Sequence, residues 1–366
     1  MAKLEVHAQV PIAVDNKYSV SICSDAFNSP GFLRTLVLSQ QVLIVTNHTV
    51  APHYLSFLQT AFSDRQCDTV ILPDGEEHKN QRSLFTIYDA LVEKKYHRDA
   101  MLIALGGGVI GDLAGFAAAT YQRGIAYLQM PTSLLAQVDA SVGGKTAINH
   151  SLGKNMIGSF YHPCSVIIDV NTLKTLPDRE FKAGVAEIIK YGLLEGGDFF
   201  VQLQQLIRKG LSFDTKELPS LIAACCAIKA RFVVADEKEQ GVRALLNLGH
   251  TVAHALETLT QYSQWLHGEA VGIGLYCAMV LSFQLGVLDE CWVTEVALLL
   301  QEIGLPHKIP KEIQLDELIK LIGTDKKIKN GRLRFILMRK PGACYIESEI
   351  TPPMLEKALA ASIEKG

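Results

Sequence analysis

The chain has 366 residues, 48% of them hydrophobic and 20% charged, and its 35 Lys and Arg against 38 Asp and Glu leave a net charge of −3. That length suits two domains, and that composition excludes a disordered chain. The near-neutral balance excludes a global field for nucleic acid or an anionic membrane, so an anionic ligand has to be met by a local cluster of cations.

Residues 41–46, 67–72 and 101–105 are β-branched or leucine-rich runs of strand length, and residues 81–95 between them have helical period. The alternation predicts a mostly parallel, Rossmann-like sheet covered by helices on both faces, a layout that binds ligands at the carboxyl ends of its strands. A further strand is expected at 165–169, after which Pro177 and a helix-capping Asp178 mark a boundary near residue 176. Beyond it, residues 181–194, 218–235, 245–260, 268–285 and 294–303 have helical period, and strand-like runs are scarce until 333–338. The expectation is an α/β domain over 1–176 and an all-α domain over 177–366. Residues 270–288 carry no charge, close to the ~20 residues of a membrane-spanning helix. The segment follows His267-Gly268-Glu269, contains Ser282 and Gln284 and lacks basic flanks, so a buried helix is expected instead. The eight cysteines include no C-x-x-C pair and read as reduced thiols, and the N-terminal Lys3, Glu5 and His7 fit no signal peptide, so a cytoplasmic location is expected.

Gly106-Gly107-Gly108-Val109-Ile110-Gly111-Asp112 follows the third strand and leads into the helix-compatible residues 113–121. Open amides at the positive end of a helix suit a pyrophosphate. Gly106, Gly108 and Gly111 satisfy G-x-G-x-x-G, but Gln129-Met130-Pro131 stand where an acidic ribose partner belongs. A dinucleotide site of another design is expected, with a close-packing turn as the alternative. Gly143-Gly144-Lys145-Thr146 ends like a P-loop, but Asp139 occupies the position of its first glycine, which argues against a nucleotide hydrolase. Lys145, with Lys154 and Asn155 downstream, is a candidate for holding a phosphoester or a carboxylate.

His250 and His254 are four residues apart and share one helix face, and His267 follows closely. Together with one carboxylate they suit a divalent metal with an open position for substrate oxygens, while Thr251 removes the glutamate of an H-E-x-x-H protease. Glu187, Glu257 and Glu269 all qualify as that carboxylate. Lys190 can sit one turn from Glu187, either reaching a metal-held oxygen or forming an ordinary surface ion pair. Lys229, Arg243 and Lys326-Lys327 would make such a site anion-seeking.

As a set, Asp74-Gly-Glu76-Glu-His-Lys79, the glycine loop, the stretch from Pro131 to Asn155, Asn247-Leu-Gly-His250 with His254, His267-Gly-Glu269 and Asp325-Lys-Lys327 resemble the 3-dehydroquinate synthase family of sugar-phosphate cyclases. The resemblance covers nearly the whole chain. It implies a nicotinamide-binding first domain and an α-helical metal domain, with substrate in the cleft between them. It implies NAD+ contacts from Asp74, Gly75, Glu76, Glu77, His78, Lys79, Gly108, Val109, Ile110, Gly111, Asp112, Thr132, Ser133, Lys145, Lys154, Thr172, Leu173, Lys174 and Thr175. Ser133 stands where threonine is expected and keeps the hydroxyl. Zn2+ or Co2+ is implied on Glu187, His250 and His267, leaving His254 beside them. Family substrate contacts match Lys145, Asn155, Asn247, His254 and Lys327 for the phosphate, Arg243 and Lys229 for the carboxylate, and Asp139 and Lys190 for the reacting hydroxyls. Arg123 matches a contact that reaches across a homodimer interface.

The implied activity is that of an NAD- and metal-dependent lyase of the shikimate pathway, which leads to the aromatic amino acids. It converts 3-deoxy-D-arabino-heptulosonate 7-phosphate to 3-dehydroquinate and phosphate by transient oxidation, phosphate elimination, reduction and ring closure. Three rivals make different demands. A glycerol-type polyol dehydrogenase resembles Asp-x-x-x-His where Glu187-Ile-Ile-Lys190-Tyr191 stands here, a cyclase for another sugar phosphate has no use for Lys229 with Arg243, and a non-enzymatic sensor has no chemical need of Lys145.

Overall fold

The computed structural model describes residues 3–15, 17–323 and 334–364, so Lys326 and Lys327 lie outside the described residues. In chain order, β1 (Glu5–Ile12) and β2 (Tyr18–Ser24) precede α1 (Pro30–Leu36), β3 (Gln41–Asn47), α2 (Ala51–Ala61), β4 (Gln66–Leu72), α3 (Gln81–Glu93), β5 (Met101–Gly106), α4 (Gly108–Thr120) and β6 (Ala126–Pro131). Next come β7 (Lys145–His150), β8 (Gly153–Phe160), β9 (Ser165–Asp169), α5 (Asp178–Glu195), α6 (Gly197–Arg208) and α7 (Leu218–Ala235). The chain continues through α8 (His250–Leu259), α9 (His267–Gln284), α10 (Glu290–Ile303), α11 (Leu315–Ile322), β10 (Phe335–Met338), β11 (Cys344–Glu347) and α12 (Pro352–Ala361). These elements form two compact units, Met1–Pro177 with Phe213–Lys238, and Asp178–Ser212 with Glu239–Gly366.

The first unit is built on a seven-stranded sheet of order β1-β2-β9-β6-β5-β3-β4, parallel throughout except for β1 against β2. Side chains on a strand alternate between faces, and the central strands are apolar on both. On β3, Val42 and Ile44 join the cluster containing Leu33 of α1 and Leu58 of α2. Leu43 and Val45 join the cluster containing Ile87 of α3 and Leu113 of α4. That double burial is why the run reads as continuous hydrophobicity.

Three features of this unit depart from the sequence expectation. Helix α4 begins at Gly108, not after Asp112, so Gly108 to Gly111 form its first turn, closed by the Gly111 amide donating to Gly107 O at 3.1 Å. Residues 145–160 form a separate antiparallel hairpin, β7–β8. Helix α7, expected in the second domain, packs on β1 and β2 and buries Leu221, Ile222 and Cys225. Helical period reports that a face is apolar but not which partner covers it. By length and composition α7 is also the one helix among the described residues that could cross a membrane, and half of it is buried.

Among the described residues the second unit is helical apart from the β10–β11 hairpin, which modifies the all-α expectation. Its core joins Val252 and Leu256 of α8, Ile273 and Leu281 of α9, Leu318 of α11, Leu337 of β10 and Leu355 of α12. Helix α9 carries buried side chains along nearly its whole length, so residues 270–288 hold a core helix as expected. The predicted helix 245–260 is broken: residues Val242–Asn247 make a 3-10 turn, Gly249 takes a left-handed φ of +79°, and α8 starts at His250.

Candidate functional site

Two close backbone approaches assemble the metal-ligand candidates in the second unit. A Cβ on Gly268 would stand 1.9 Å from the Ala183 carbonyl oxygen, one turn before Glu187 on α5. A Cβ on Gly274 would stand 1.9 Å from the oxygen of Gly249, the residue before His250. Only glycine permits either contact. Helix α9 can therefore lie against α5 and against the start of α8, and its own first residue is His267.

The result is one oxygen and two nitrogens, from Glu187, His250 and His267, all within 4.8 Å of one another. Both Nε2 atoms lie 3.4 Å from Glu187 Oε1. Ligands about 2.0–2.1 Å from a tetrahedral zinc stand about 3.4 Å apart, so the spacing fits the ion. Nδ1 of His250 is 3.1 Å from Leu248 O, and Nδ1 of His267 is 3.2 Å from Glu257 Oε1. Each acceptor places the ring hydrogen on Nδ1 and turns the Nε2 lone pair toward Glu187. Both Glu187 oxygens are buried and lack a hydrogen bond of ordinary geometry, although Lys190 Nζ pairs with Oε2 at 2.5 Å. Two lone pairs and a carboxylate oxygen facing one another repel unless a cation lies between them.

Burial pushes the Glu187 pKa up, but the Lys190 ammonium beside it holds the carboxyl well below its usual range. Burial, ahead of the opposing pull of Glu187, lowers the His250 pKa and keeps the ring neutral. A charged carboxylate and a neutral imidazole are the ligand forms a metal needs. The geometry also separates the three candidate carboxylates. Glu257 supports His267, while Glu269 takes both arms of the Arg179 guanidinium at 2.7 Å and accepts the Leu266 amide at 2.9 Å, capping α9. The surface reading of the Glu187–Lys190 pair fails, since the side chains are 0% and 1% exposed.

His254 stacks over His267 with ring centroids 6.2 Å apart and lies outside the ligand set. Arg243 is buried in the 3-10 turn, and Asn247 Nδ2 donates to Glu239 Oε1 at 2.5 Å. Glu239 was not singled out from the sequence. Its signal is a left-handed φ of +55° at a non-glycine residue, which no motif displays.

In the first unit, no side chain caps α4 at Gly107, so the amides of its first turn suit an anion. A Cβ on Gly107 would lie 3.4 Å from Ser133 Oγ, and one on Gly108 3.4 Å from the Ala140 Cβ, so the loop rests on the segment after β6. Thr132 N donates to Gly106 O at 3.0 Å. The side chains of Ile110 and Leu173 are in the core, leaving only their backbones for a ligand. Residues Glu76–His78 form a 3-10 turn after Gly75. Around it, Asp74 accepts from Asn47 at 2.6 Å and Thr49 at 2.7 Å, and Glu76 accepts from Asn149 at 2.9 Å with Lys154 at 3.5 Å. Glu77 pairs with the neighbouring His78 at 3.7 Å. Lys79 pairs with Asp112, whose pKa burial raises against that pull, and donates to Asn155 Oδ1 at 2.6 Å. Thr175 bonds Tyr54 at 2.6 Å, and Lys174 follows Leu173 in the same 3-10 segment, Val170–Thr175.

Lys229 meets both the carboxylate and the carbonyl oxygen of Asp139 at 2.7 Å. Asp139 itself lies in a π-helical turn, Ala136–Ala140. Lys145 is exposed at the first residue of β7. Arg123 follows Gln122 in two consecutive left-handed non-glycine conformations, φ +64° and +49°.

A family model for the 3-dehydroquinate synthase N-terminal region matches residues 69–183, and one for the C-terminal region matches residues 184–328. Over 365 residues the chain is 60% identical to 3-dehydroquinate synthase of Legionella pneumophila strain Philadelphia 1, covering 100% of this chain and 99% of that one. It is similar in fold to 2-deoxy-scyllo-inosose synthase solved with carbaglucose-6-phosphate, NAD+ and Co2+, with TM-score 0.88 and 23% identity over 97% of this chain and 99% of that one. It is also similar to 2-epi-5-epi-valiolone synthase from Streptomyces hygroscopicus subsp. jinggangensis 5008 with NAD+ and Zn2+ bound, with TM-score 0.86 and 25% identity over 94% and 96% of the two chains.

Proposed function

The chain belongs to the 3-dehydroquinate synthase family, and on that premise we propose that it converts 3-deoxy-D-arabino-heptulosonate 7-phosphate to 3-dehydroquinate and phosphate. The observation that carries the reading is the pair of 3.4 Å separations between the imidazole Nε2 atoms and Glu187 Oε1, a spacing made for a divalent cation. Glu187, His250 and His267 would hold Zn2+ or Co2+, and the segments 74–79, 108–112 and 172–175 with Thr132, Ser133, Lys145 and Lys154 would hold NAD+. Bound NAD+ would supply a reversible electron-pair acceptor, and the bound metal a Lewis acid.

The chain's own residues orient the substrate and move its protons. Lys190, buried and fixed by Glu187, points an ammonium at a reacting hydroxyl, and Asp139, fixed by Lys229, accepts from another. Asn247, held by Glu239, presents its amide to the phosphate together with Lys145, Asn155, His254 and Lys327. Arg243 and Lys229 bind the carboxylate. In the family's reaction a transient ring oxidation would precede phosphate elimination and be reversed before the ring opens and recloses carbon to carbon, so no net oxidation would remain. In this reading residues 1–176 with α7 form the dinucleotide domain, the rest forms the metal domain, and the cytoplasmic protein is a homodimer in which Arg123 serves the partner's site.

The purified protein is to be incubated with Zn2+, NAD+ and the heptulosonate phosphate while inorganic phosphate and NADH absorbance are followed. Phosphate release without steady NADH accumulation is expected. Stoichiometric NADH without phosphate would mean a polyol dehydrogenase, and silence in both channels would mean a sensor. Sedimentation velocity checks the dimer.

A further inference from the structure

The Gly143-Gly144 turn that introduces Lys145 has φ values of +106° and +67°, the first open only to glycine and the second left-handed. Two adjacent glycines have wide conformational freedom, so something must hold them. The space above Gly144 is filled by the ring of His162, since a Cβ at Gly144 would come within 2.8 Å of its Nδ1 and Cε1. On either side, the Tyr161 amide donates to Gly144 O at 2.7 Å and the Gly143 amide donates to the Tyr18 hydroxyl at 3.2 Å. Tyr18 itself lies against the His162 ring, centroid to centroid 5.5 Å.

What fixes the His162 ring is Glu237. Its Oε1 lies 2.9 Å from His162 Nε2, while Nδ1 is buried without a hydrogen-bond partner and the side chain is 4% exposed. A buried Nδ1 with no acceptor carries no hydrogen, so Nε2–H donates to Glu237 and supplies the polar anchor of the ring. Glu237 stands one residue before Lys238, where the chain leaves the first unit for the stretch that carries Glu239, Arg243 and Asn247.

We propose that His162 is a positioning residue whose clasp on Glu237 holds the Gly143-Gly144 turn, and with it Lys145, in the conformation that meets the substrate phosphate. The proposal rests on the phosphate-eliminating reading above for its effect on rate, but not for its effect on the turn. Without the ring, the two glycines gain conformations, and a lysine displaced by about 1 Å can lose up to a hundredfold in rate.

The test combines amide hydrogen exchange with kinetics on the metal-loaded protein. In His162→Ala, the amides of residues 143–146 should exchange faster, and kcat/KM for the heptulosonate phosphate should fall about tenfold or more, with zinc content and Tm within error of the wild type. In His162→Gln, whose amide still donates to Glu237, both should return to within about threefold of the wild type. The double variant His162→Ala/Glu237→Gln should be no worse than His162→Ala, because the two act through one contact. Unchanged exchange at 143–146 in His162→Ala overturns the proposal, as does additivity in the double variant or a loss that tracks Tm or zinc content. If His162→Ala does not fold, faster exchange confined to 143–146 in Glu237→Gln carries the proposal, and unchanged exchange there overturns it. Wild-type protein that releases no phosphate defeats the functional reading alone, since the exchange result stands without it.

Discussion

The two units meet charge in opposite ways. In the second, Glu187, His250 and His267 turn an ionised oxygen and two lone pairs toward one point, an arrangement that suits a cation from outside the chain. In the first, Lys79, Lys154 and Lys229 are each already held by a carboxylate of the same unit, Asp112, Glu76 and Asp139. The second unit is a trap for a metal. The first is a frame of pre-positioned cations, whose side-chain entropy is largely lost before an anion arrives. Losing a ligand should therefore empty the trap, while losing a lysine should spoil the chemistry and leave the metal in place.

The largest effect is expected for His250→Ala. Metal content after dialysis should fall well below one equivalent and phosphate release about a thousandfold or more, as befits several kcal/mol of lost Lewis-acid stabilisation. Full metal retention would remove His250 from the site. Lys145→Ala should keep its metal, assayed on the same samples, yet lose about 10²–10³ in turnover. Loss of zinc from that variant would erase the contrast between the units.

Glu257→Gln sharpens the picture within the trap. With the carboxylate behind His267 replaced by an amide, metal affinity should weaken about 10–100-fold in a chelator competition. An unchanged affinity would reduce Glu257 to packing. Gly268→Ala drives a methyl into the Ala183 carbonyl and should cost about 1–3 kcal/mol in thermal or denaturant melts of the second unit, with weaker metal binding alongside. A wild-type melt would mean that α9 does not need its close approach to α5.

The smallest effect is a pH dependence of the metal-free protein. His250 titrates below its ordinary value of 6.5 when folded, so the unfolded chain takes up its proton first as pH falls. Stability contributed by the neutral ring is complete above about pH 7.5, and it declines as pH drops through about 6.5 toward the depressed folded value. Denaturant melts between pH 8 and 5 check this, and a flat profile would mean that His250 is not held neutral by burial.

Much of this organisation could be read along the chain. The strands at 41–46, 67–72 and 101–105 and the helix that starts just after Pro177 follow from local pattern, because a strand buried on both faces and a helix start leave a mark within a few residues. The histidine spacing placed His250 and His254 on one helix face but did not say which of the two stands with Glu187 and His267. The choice among Glu187, Glu257 and Glu269 left no such mark. It depends on two glycine contacts between helices distant in sequence, Gly268 on Ala183 and Gly274 on Gly249. The place of α7 was hidden for a related reason, since its apolar residues fit a helical core as well as a sheet.

The amino-acid sequence alone determined which residue types were present for catalysis and the local elements that carry them, since secondary structure and motif spacing are short-range properties of a chain. Tertiary structure decided which carboxylate faces the histidines, which acids hold the lysines, and that His162 lies over Gly144. Each of those depends on a close approach between segments far apart in the chain, where burial and steric fit act and local periodicity is silent.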